Sequence, residues 1–477
     1  MRLPSLLHPR PIDDEGAYGV VANEVVDGAR PYLDVVDYKP PLLVWTYAAI
    51  VKATGKYNWK ALHAVALIWT LATMVGLYAI GKQLFDRKTG LVAALFYSIF
   101  QPWGTGNLAF NGEMLMNLPI VWAWAIAFER SSSQMRPGLF AAGALSCAAF
   151  LLKQPAAIAA VPLGLYLLLP SYRESRDLKP VAALMQAVVF TAGFFATLAL
   201  VAIVLWKQGI LRDAFYWTIT NHASERMFWD LGLFRTLRFV VACLPLTIGL
   251  VMAYRDKNDL WLGKNAERTA LFGLLIASVI GVIAGTRFYL HYYIQLIAPL
   301  ALLTAPHYAK LWADSMQPPH RILRPAIISL WLALTVIVFS ILHWRDLAPR
   351  RQLSDTEKYL IEHSSPAGRI FVWGQAARIY ANAQRRPACR YIETAPLTGY
   401  AWRRAFTDTD SCSRILPAAW PALEQDFDRH PPAYIFESQL GQDKLYPAQD
   451  FPILARLLAE KYQPVLRTAE GLIYRKR

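Results

Sequence analysis

Between residues 60 and 344 the chain carries ten apolar runs, at roughly 60–84, 89–105, 113–129, 138–152, 155–170, 179–206, 235–254, 268–285, 291–310 and 323–344. A bilayer core about 30 Å thick is crossed by about 20 apolar residues in helical form. Inside it the backbone must satisfy its own hydrogen bonds, so each run predicts a helix. The pair 138–152 and 155–170 is divided by Lys153-Gln154-Pro155 and reads as two short helices meeting near one face. Charged residues make up 17% of the chain, below the roughly 25% of soluble domains. The net charge of +15 would suit nucleic acid in a soluble protein. Here Lys and Arg fall in short loops between apolar runs, which makes them marks of topology and predicts no nucleic-acid partner.

One set of alternate loops is basic, with Lys82, Arg87 and Lys88, then Arg130 and Arg136, then Arg173, Arg176 and Lys179. It continues with Arg255, Lys257, Lys264 and Arg268, and with Lys310, Arg321 and Arg324. The opposite set is poorer, with Lys153, Lys207, Arg212, Arg226 and Arg287 as its main members. The positive-inside rule predicts the first set in the cytoplasm. Residues 13–57, the 207–234 loop and everything after Trp344 are then predicted outside. Ten spans would return both chain ends to that outer side, yet the first residues carry no signal peptide. The expectation is a further helix upstream of residue 1, or a crossing by 42–53, whose twelve residues are short for that task.

After Trp344 the apolar runs shorten. Residues 369–374 (RIFVWG) predict a strand, 375–383 a helix, 433–436 a second strand, 451–462 a helix and 471–474 a last strand. The division expected is a membrane domain over 1–344, with a first outer loop at 13–58, and a small extracytoplasmic α/β domain over 345–477. Of four cysteines, Cys147 and Cys243 lie in spans as small packers. Cys389 and Cys412 fall in the outer domain, where an oxidising compartment permits a pairing that spacing alone does not decide. No CxxC, HExxH or clustered-His spacing indicates a metal site. No cofactor is required, and the first-loop carboxylates are the one set of ligands offered to a transient divalent ion.

Those carboxylates open the segment 13–41, DDEGAYGVVANEVVDGARPYLDVVDYKPP. Acidic residues and a lysine at a membrane boundary are expensive to hold there and point to a site. The Asp13-Asp14-Glu15-Gly-x-Tyr start, the Gly-x-x-Pro-Tyr turn and the Asp37-Tyr38-Lys39-Pro40-Pro41-Leu42 ending resemble the first outer loop of polyprenyl-phosphate-dependent GT-C glycosyltransferases. Within these they are most similar to the ArnT-like and dolichyl-phosphate-mannose protein mannosyltransferase-like group. Leu152-Lys153-Gln154-Pro155, the stretch 287–299 (RFYLHYYIQLIAP) and the Ile-Phe-Val-Trp-Gly opening of the C-terminal domain resemble that group as well.

The resemblance implies a GT-C fold of about 10–11 transmembrane helices in this chain. It implies an inverting glycosyltransferase of the bacterial inner membrane, active on the periplasmic side. The donor would be a polyprenyl-phosphate monosaccharide, and the acceptor a lipid A, glycan, other lipid or protein of the envelope. Such a donor brings its own leaving group. What it needs is cationic stabilisation of the departing phosphate and one base for the acceptor's proton, not the two-carboxylate cycle of retaining hydrolysis. The resemblance gives the base role to Asp14, with Glu15 beside it and Asp13 in the pocket. Acidic residues also suit the start of a helix near Gly16.

Lys39, directed by Pro40-Pro41, is expected on the donor phosphate, though a lysine can also snorkel to the interface. Lys153, Arg226 and Arg287 are the further phosphate candidates. Asp37, Tyr38, Glu113, His222, His291 and Tyr292 are candidates for the substrate pocket. For Glu113 the alternative is a hydrogen bond within the bundle, and for His291 and Tyr292 an interfacial anchor. The aromatics of the 207–234 loop suit an interfacial belt. A transporter or flippase of lipid-linked sugars, or a non-catalytic lipid binder, is the competing class. Transporters commonly show internal repeats and helices broken at the midplane, and the sequence shows neither.

Overall fold

The computed structural model describes residues 2–12, 14–129, 137–222, 228–255, 260–315, 323–349, 352–400 and 412–477. A short helix, α1 (Leu3–Leu6), precedes α2 (Glu15–Val26) and α3 (Pro41–Thr54). The apolar runs then form α4 (Trp59–Leu84), α5 (Arg87–Phe100), α6 (Gly112–Phe128), α7 (Gly138–Leu152) and α8 (Ala156–Tyr166). After the small α9 (Pro170–Glu174) come α10 (Pro180–Lys207), α11 (Leu211–Thr218), α12 (Trp229–Ala242) and α13 (Leu244–Arg255). The bundle ends with α14 (Asn265–Ala284), α15 (Ile294–Ser315) and α16 (Leu323–Leu347).

Four of the described helices are long and apolar enough to cross a membrane alone, and α12 and α13 reach that length and hydropathy only as a pair. That pair corrects the single span expected at 235–254: its halves meet at 86° around Cys243. Pro245 has no N–H to give and disfavours helical geometry in the residue before it, so the helix restarts instead of running through. The run expected at 89–105 likewise stops at Phe100, two residues before Pro102. Segment 42–53 becomes α3, a helix of 14 residues packed on α2.

Helix starts follow local chemistry. Asn58 caps α4 by accepting from the Ala61 amide at 3.2 Å, Asp86 caps α5 from Thr89 at 2.7 Å, and Asn111 caps α6 from Met114 at 3.2 Å. Packing between helices depends on small residues, as expected where apolar lipid offers little drive for association. A Cβ on Gly143 of α7 would strike the Phe190 carbonyl of α10, and one on Gly193 of α10 would strike the Phe140 carbonyl of α7. The two helices therefore touch backbone to backbone.

The C-terminal part holds a five-stranded sheet. Its strands are β1 (Arg369–Trp373), β2 (Arg386–Pro387), β3 (Tyr434–Ser438), β4 (Tyr462–Arg467) and β5 (Gly471–Lys476), in the order β2-β1-β3-β5-β4. β1 runs parallel to β2 and β3, whereas β5 is antiparallel to β3 and β4. Around it lie α17 (Asp355–His363), α18 (Arg378–Ala383), α19 (Ala395–Thr398), α20 (Ala419–Arg429) and α21 (Pro452–Lys461). The helix expected at 375–383 starts three residues late. β4 follows directly on α21, and it accommodates Pro464 as an edge strand with an irregularity between Pro464 and Leu466. Cys389 is a buried free thiol, which argues against its pairing; the Cys412 side chain lies outside the described residues.

This C-terminal part sits on the loop region 13–40. Glu24 of α2 takes a two-pronged hydrogen bond from Arg386, at 2.7 and 2.6 Å, and another from Arg369 at 3.4 Å. Asp27 pairs with Arg386 at 3.1 Å and with Lys56. The Val36 amide donates to the Arg390 carbonyl at 2.9 Å, and Val36 and Tyr391 form a parallel bridge.

Candidate active site

A cavity of about 1210 Å³ lies where α2, the 36–39 loop, the heads of α6 and α8, the 281–295 segment and the C-terminal part converge. Asp14, Asp37, Tyr38, Lys39, Glu113, Lys153, Arg287, His291 and Tyr292, all expected from sequence, line it together. They come from segments up to 278 positions apart in the chain, from Asp14 to Tyr292.

Asp14 stands at the N-cap of α2, and its Oδ2 accepts from the Tyr18 hydroxyl at 3.0 Å, one helical turn on. The Lys39 ammonium lies 5.4 Å from the centre of the same Tyr18 ring. Tyr18 thus supports both the Asp14 carboxylate and the Lys39 ammonium. Burial pushes the Asp14 carboxyl up, but the charge of Lys39, the neighbouring His291 and Lys153 and the Tyr18 bond carry it below the ordinary carboxylate range. Asp14 is therefore an anion at neutral pH. The Lys39 backbone is fixed by Tyr32, whose hydroxyl donates to the Lys39 carbonyl at 2.7 Å. Asp37 turns inward, accepting from the Tyr38 amide at 2.6 Å, and burial raises its carboxyl above the usual range.

Lys153 follows α7 and pairs with Glu113 at 3.0 Å. Its ammonium also lies 5.3 Å from the Tyr292 ring centre. Gln154 bridges two walls, donating to the Tyr38 carbonyl at 3.2 Å and to the Thr218 carbonyl at 3.0 Å. Arg287 is presented by a strained turn. Thr286 and Phe288 on either side have φ of +54° and +49°, a left-handed conformation that costs non-glycine residues of order 1–3 kcal/mol. Arg235 holds the turn by donating to the Arg287 carbonyl at 2.9 Å and the Phe288 carbonyl at 3.2 Å. His291 stacks on Tyr289 and meets Tyr292 edge-on, with centroids 5.4 and 4.9 Å away.

Glu15 corrects the expectation of a second catalytic carboxyl. It is completely buried away from the cavity lining, with Oε2 accepting from the Ile12 amide at 2.7 Å and from His63 Nε2 at 3.0 Å. Its Oε1 accepts from the Phe110 amide at 2.6 Å. This carboxylate is a structural node. Asp13 and Arg226 lie outside the described residues, as does the His222 side chain, while neighbouring Asn221 lines the cavity. Among the described residues no group of three or more His, Cys, Asp or Glu gathers in a form that would hold a metal ion.

Several lining residues had not been singled out: Tyr18, Arg235, Tyr289, Gln375, Tyr391, Glu393 and Tyr400. The last four come from the C-terminal part. Tyr18 was accessible in principle, since position i+4 after Asp14 shares its helix face. Glu393 carries no local signal. Burial, with the neighbouring Asp14 charge, pushes its carboxyl up to about 7.

Residues 38–206 match the family model of dolichyl-phosphate-mannose-protein mannosyltransferases. ArnT from Cupriavidus metallidurans, solved bound to undecaprenyl phosphate, superposes with a TM-score of 0.60 at 12% identity over 98% of this chain and 95% of that one. The chain has an ArnT-like GT-C fold. The oligosaccharyltransferase of Archaeoglobus fulgidus, tethered to an acceptor peptide, matches with a TM-score of 0.54 at 14% identity over 99% of this chain and 70% of that one. Its AglB complex with an inhibitory peptide and a dolichol-phosphate gives 0.51 at 12% identity, covering 99% and 71%. No curated protein matches the chain in sequence.

Proposed function

We propose that this GT-C protein transfers a monosaccharide, with inversion, from a polyprenyl-phosphate donor to an acceptor of the cell envelope. The observation that carries the reading is the single cavity in which the anionic Asp14 faces Lys39, Lys153 and Arg287. In the step proposed, the acceptor's oxygen or nitrogen attacks the anomeric carbon and the carbon–oxygen bond to phosphate breaks. The departing polyprenyl phosphate is held by the lysines and Arg287. Asp14 accepts the acceptor's proton as the new glycosidic bond forms. No metal is needed for this step as written. The donor lipid enters laterally from the bilayer and the acceptor from the opposite, aqueous side. The distribution of basic loops supports an acceptor side outside the cytoplasm, which for a bacterial inner membrane is the periplasm.

Mass spectrometry of envelope lipids and glycans from cells with and without the gene identifies the donor sugar and acceptor. With that pair, Asp14→Asn is expected to abolish transfer while undecaprenyl phosphate binding by the purified protein persists. Unimpaired transfer by the variant would overturn Asp14 as the base. Lipid-linked sugar translocation without any transfer would overturn the enzyme reading.

A further inference from the structure

The C-terminal part reaches the cavity through the stretch Tyr391–Glu393. Val36 and Tyr391 are bridged in parallel, and two residues beyond each stand Tyr38 and Glu393, both on the cavity lining. Their proximity is felt electrostatically, since Glu393 is among the groups that raise the Tyr38 hydroxyl. Glu393 is also fixed from its own side. In the amide orientation that satisfies both ends of Gln375, its nitrogen donates to Glu393 Oε2 at 3.1 Å and its oxygen accepts from the Ala395 amide at 3.1 Å. Glu393 lines the same cavity as Asp14, Lys39 and the Lys153–Glu113 pair.

We propose that Glu393 is the terminal proton acceptor of the reaction, receiving through the solvent of the cavity the proton that Asp14 takes from the acceptor. The proposal rests on the transferase reading above and assigns a second carboxyl to it. The balance is simple. The acceptor loses one proton to Asp14, Asp14 returns to its anionic form by giving that proton to the Glu393 carboxylate, and Glu393 releases it to water. The direction follows from the surroundings. Asp14 lies in a cationic setting and sheds a proton readily, whereas Glu393 faces Asp14 and Asp37 and is only partly offset by Lys39 and Arg287. A group whose carboxyl titrates at about 7 is matched to carrying protons at neutral pH. It also explains why a GT-C bundle would keep a C-terminal carboxyl in contact with its first loop.

The sign of the pH dependence is fixed. Below pH 7 Glu393 is already protonated and cannot accept, so transfer declines on the acid side with an inflection near 7. Glu393→Gln is expected to lower the transfer rate about tenfold or more and to remove that inflection. Glu393→Asp keeps an inflection, and Glu393→Ala is partly rescued by added formate in proportion to its concentration. Undecaprenyl phosphate binding and thermal stability stay at the wild-type level in all three.

An independent readout needs no sugar. Infrared titration of the purified protein should show a carboxyl band with a midpoint near pH 7 that Glu393→Gln abolishes. Asp14→Asn should move that midpoint lower, because it removes the neighbouring negative charge. A Glu393→Gln variant with the wild-type rate and pH profile would overturn this inference and leave the transferase reading standing. A wild-type protein that neither binds undecaprenyl phosphate nor transfers would overturn both. A misfolded Gln variant leaves the decision to the Asp variant and to formate rescue, where the absence of both effects counts against the proposal.

Discussion

Replacing Glu15 by alanine removes the acceptor for three buried donors at once: the amides of Ile12 and Phe110, and His63 Nε2. The side chains of Glu15 and His63 are both fully shielded from solvent. Water therefore cannot replace the lost bonds without opening the junction of α2, α4 and the 101–111 segment. An unsatisfied buried polar group costs about 1–3 kcal/mol, and more when its partner was charged. Two orphaned amides and one imidazole together put the loss at about 3–9 kcal/mol. Glu15→Gln retains one carbonyl oxygen and should cost less. The assay is the fraction of detergent-purified protein that stays monodisperse after heating, read alongside undecaprenyl phosphate binding at low temperature. The alanine variant should lose monodispersity well below the wild-type temperature, the glutamine variant in between, and Asp14→Asn close to wild type. An alanine variant as heat-stable as wild type but inactive in transfer would refute the reasoning and return Glu15 to the catalytic group.

Two further outcomes follow from ion pairs at the cavity. Lys153→Met leaves Glu113 buried without its partner, which typically costs about 3–5 kcal/mol, and it also weakens undecaprenyl phosphate binding. Adding Glu113→Gln should restore heat stability but not lipid affinity, and recovery of both would remove Lys153 from the phosphate site. Glu24→Ala breaks the bonds from Arg386 and Arg369, at about 1.5–3 kcal/mol for a charge-assisted contact. Hydrogen exchange of the peptide containing Val36 should then accelerate, since its amide is bonded to Arg390 across the same junction. Unchanged exchange would show that the Glu24 bonds are not what holds the C-terminal part on this junction.

How far the sequence disclosed this site depends on how each residue is brought there. Asp14, Asp37 and Lys39 lie within one loop region, and charge beside apolar runs marks them without any knowledge of tertiary structure. Lys153 and Glu113 are marked by their positions at the ends of apolar runs. Glu393 was hidden because its place depends on a single parallel bridge between residues 36 and 391, which no local pattern announces. The bend between α12 and α13 was hidden for a different reason: composition is continuous across 235–254, and the effect of Pro245 is to redirect the chain, not to alter its hydropathy.

The Asp14–Glu15 pair shows most clearly what a linear reading lacks. Adjacent helical residues point about 100° apart, so at most one of two neighbouring carboxylates faces a given wall. Which one does is a question of helix phase. Asp14 and Tyr18, four apart, face the cavity; Glu15 and Gly19, also four apart, face α4. There they meet His63 and Trp59, again four apart: Glu15 bonds to His63, and a Cβ on Gly19 would collide with the Trp59 ring. At the start of α2, Gly16 lets α18 approach until a Cβ would stand 3.3 Å from the Arg378 Cα. Gly16, Gly19 and the His63 of another helix thus set the rotation that turns Asp14 toward the cavity and Glu15 inward as a strut. Glycine at 16 and 19 was visible in the sequence, but its meaning required knowing that Trp59 and His63 stand opposite. A bulky residue at 19 would rotate or displace α2, and it would therefore disturb Asp14 without touching the cavity at all.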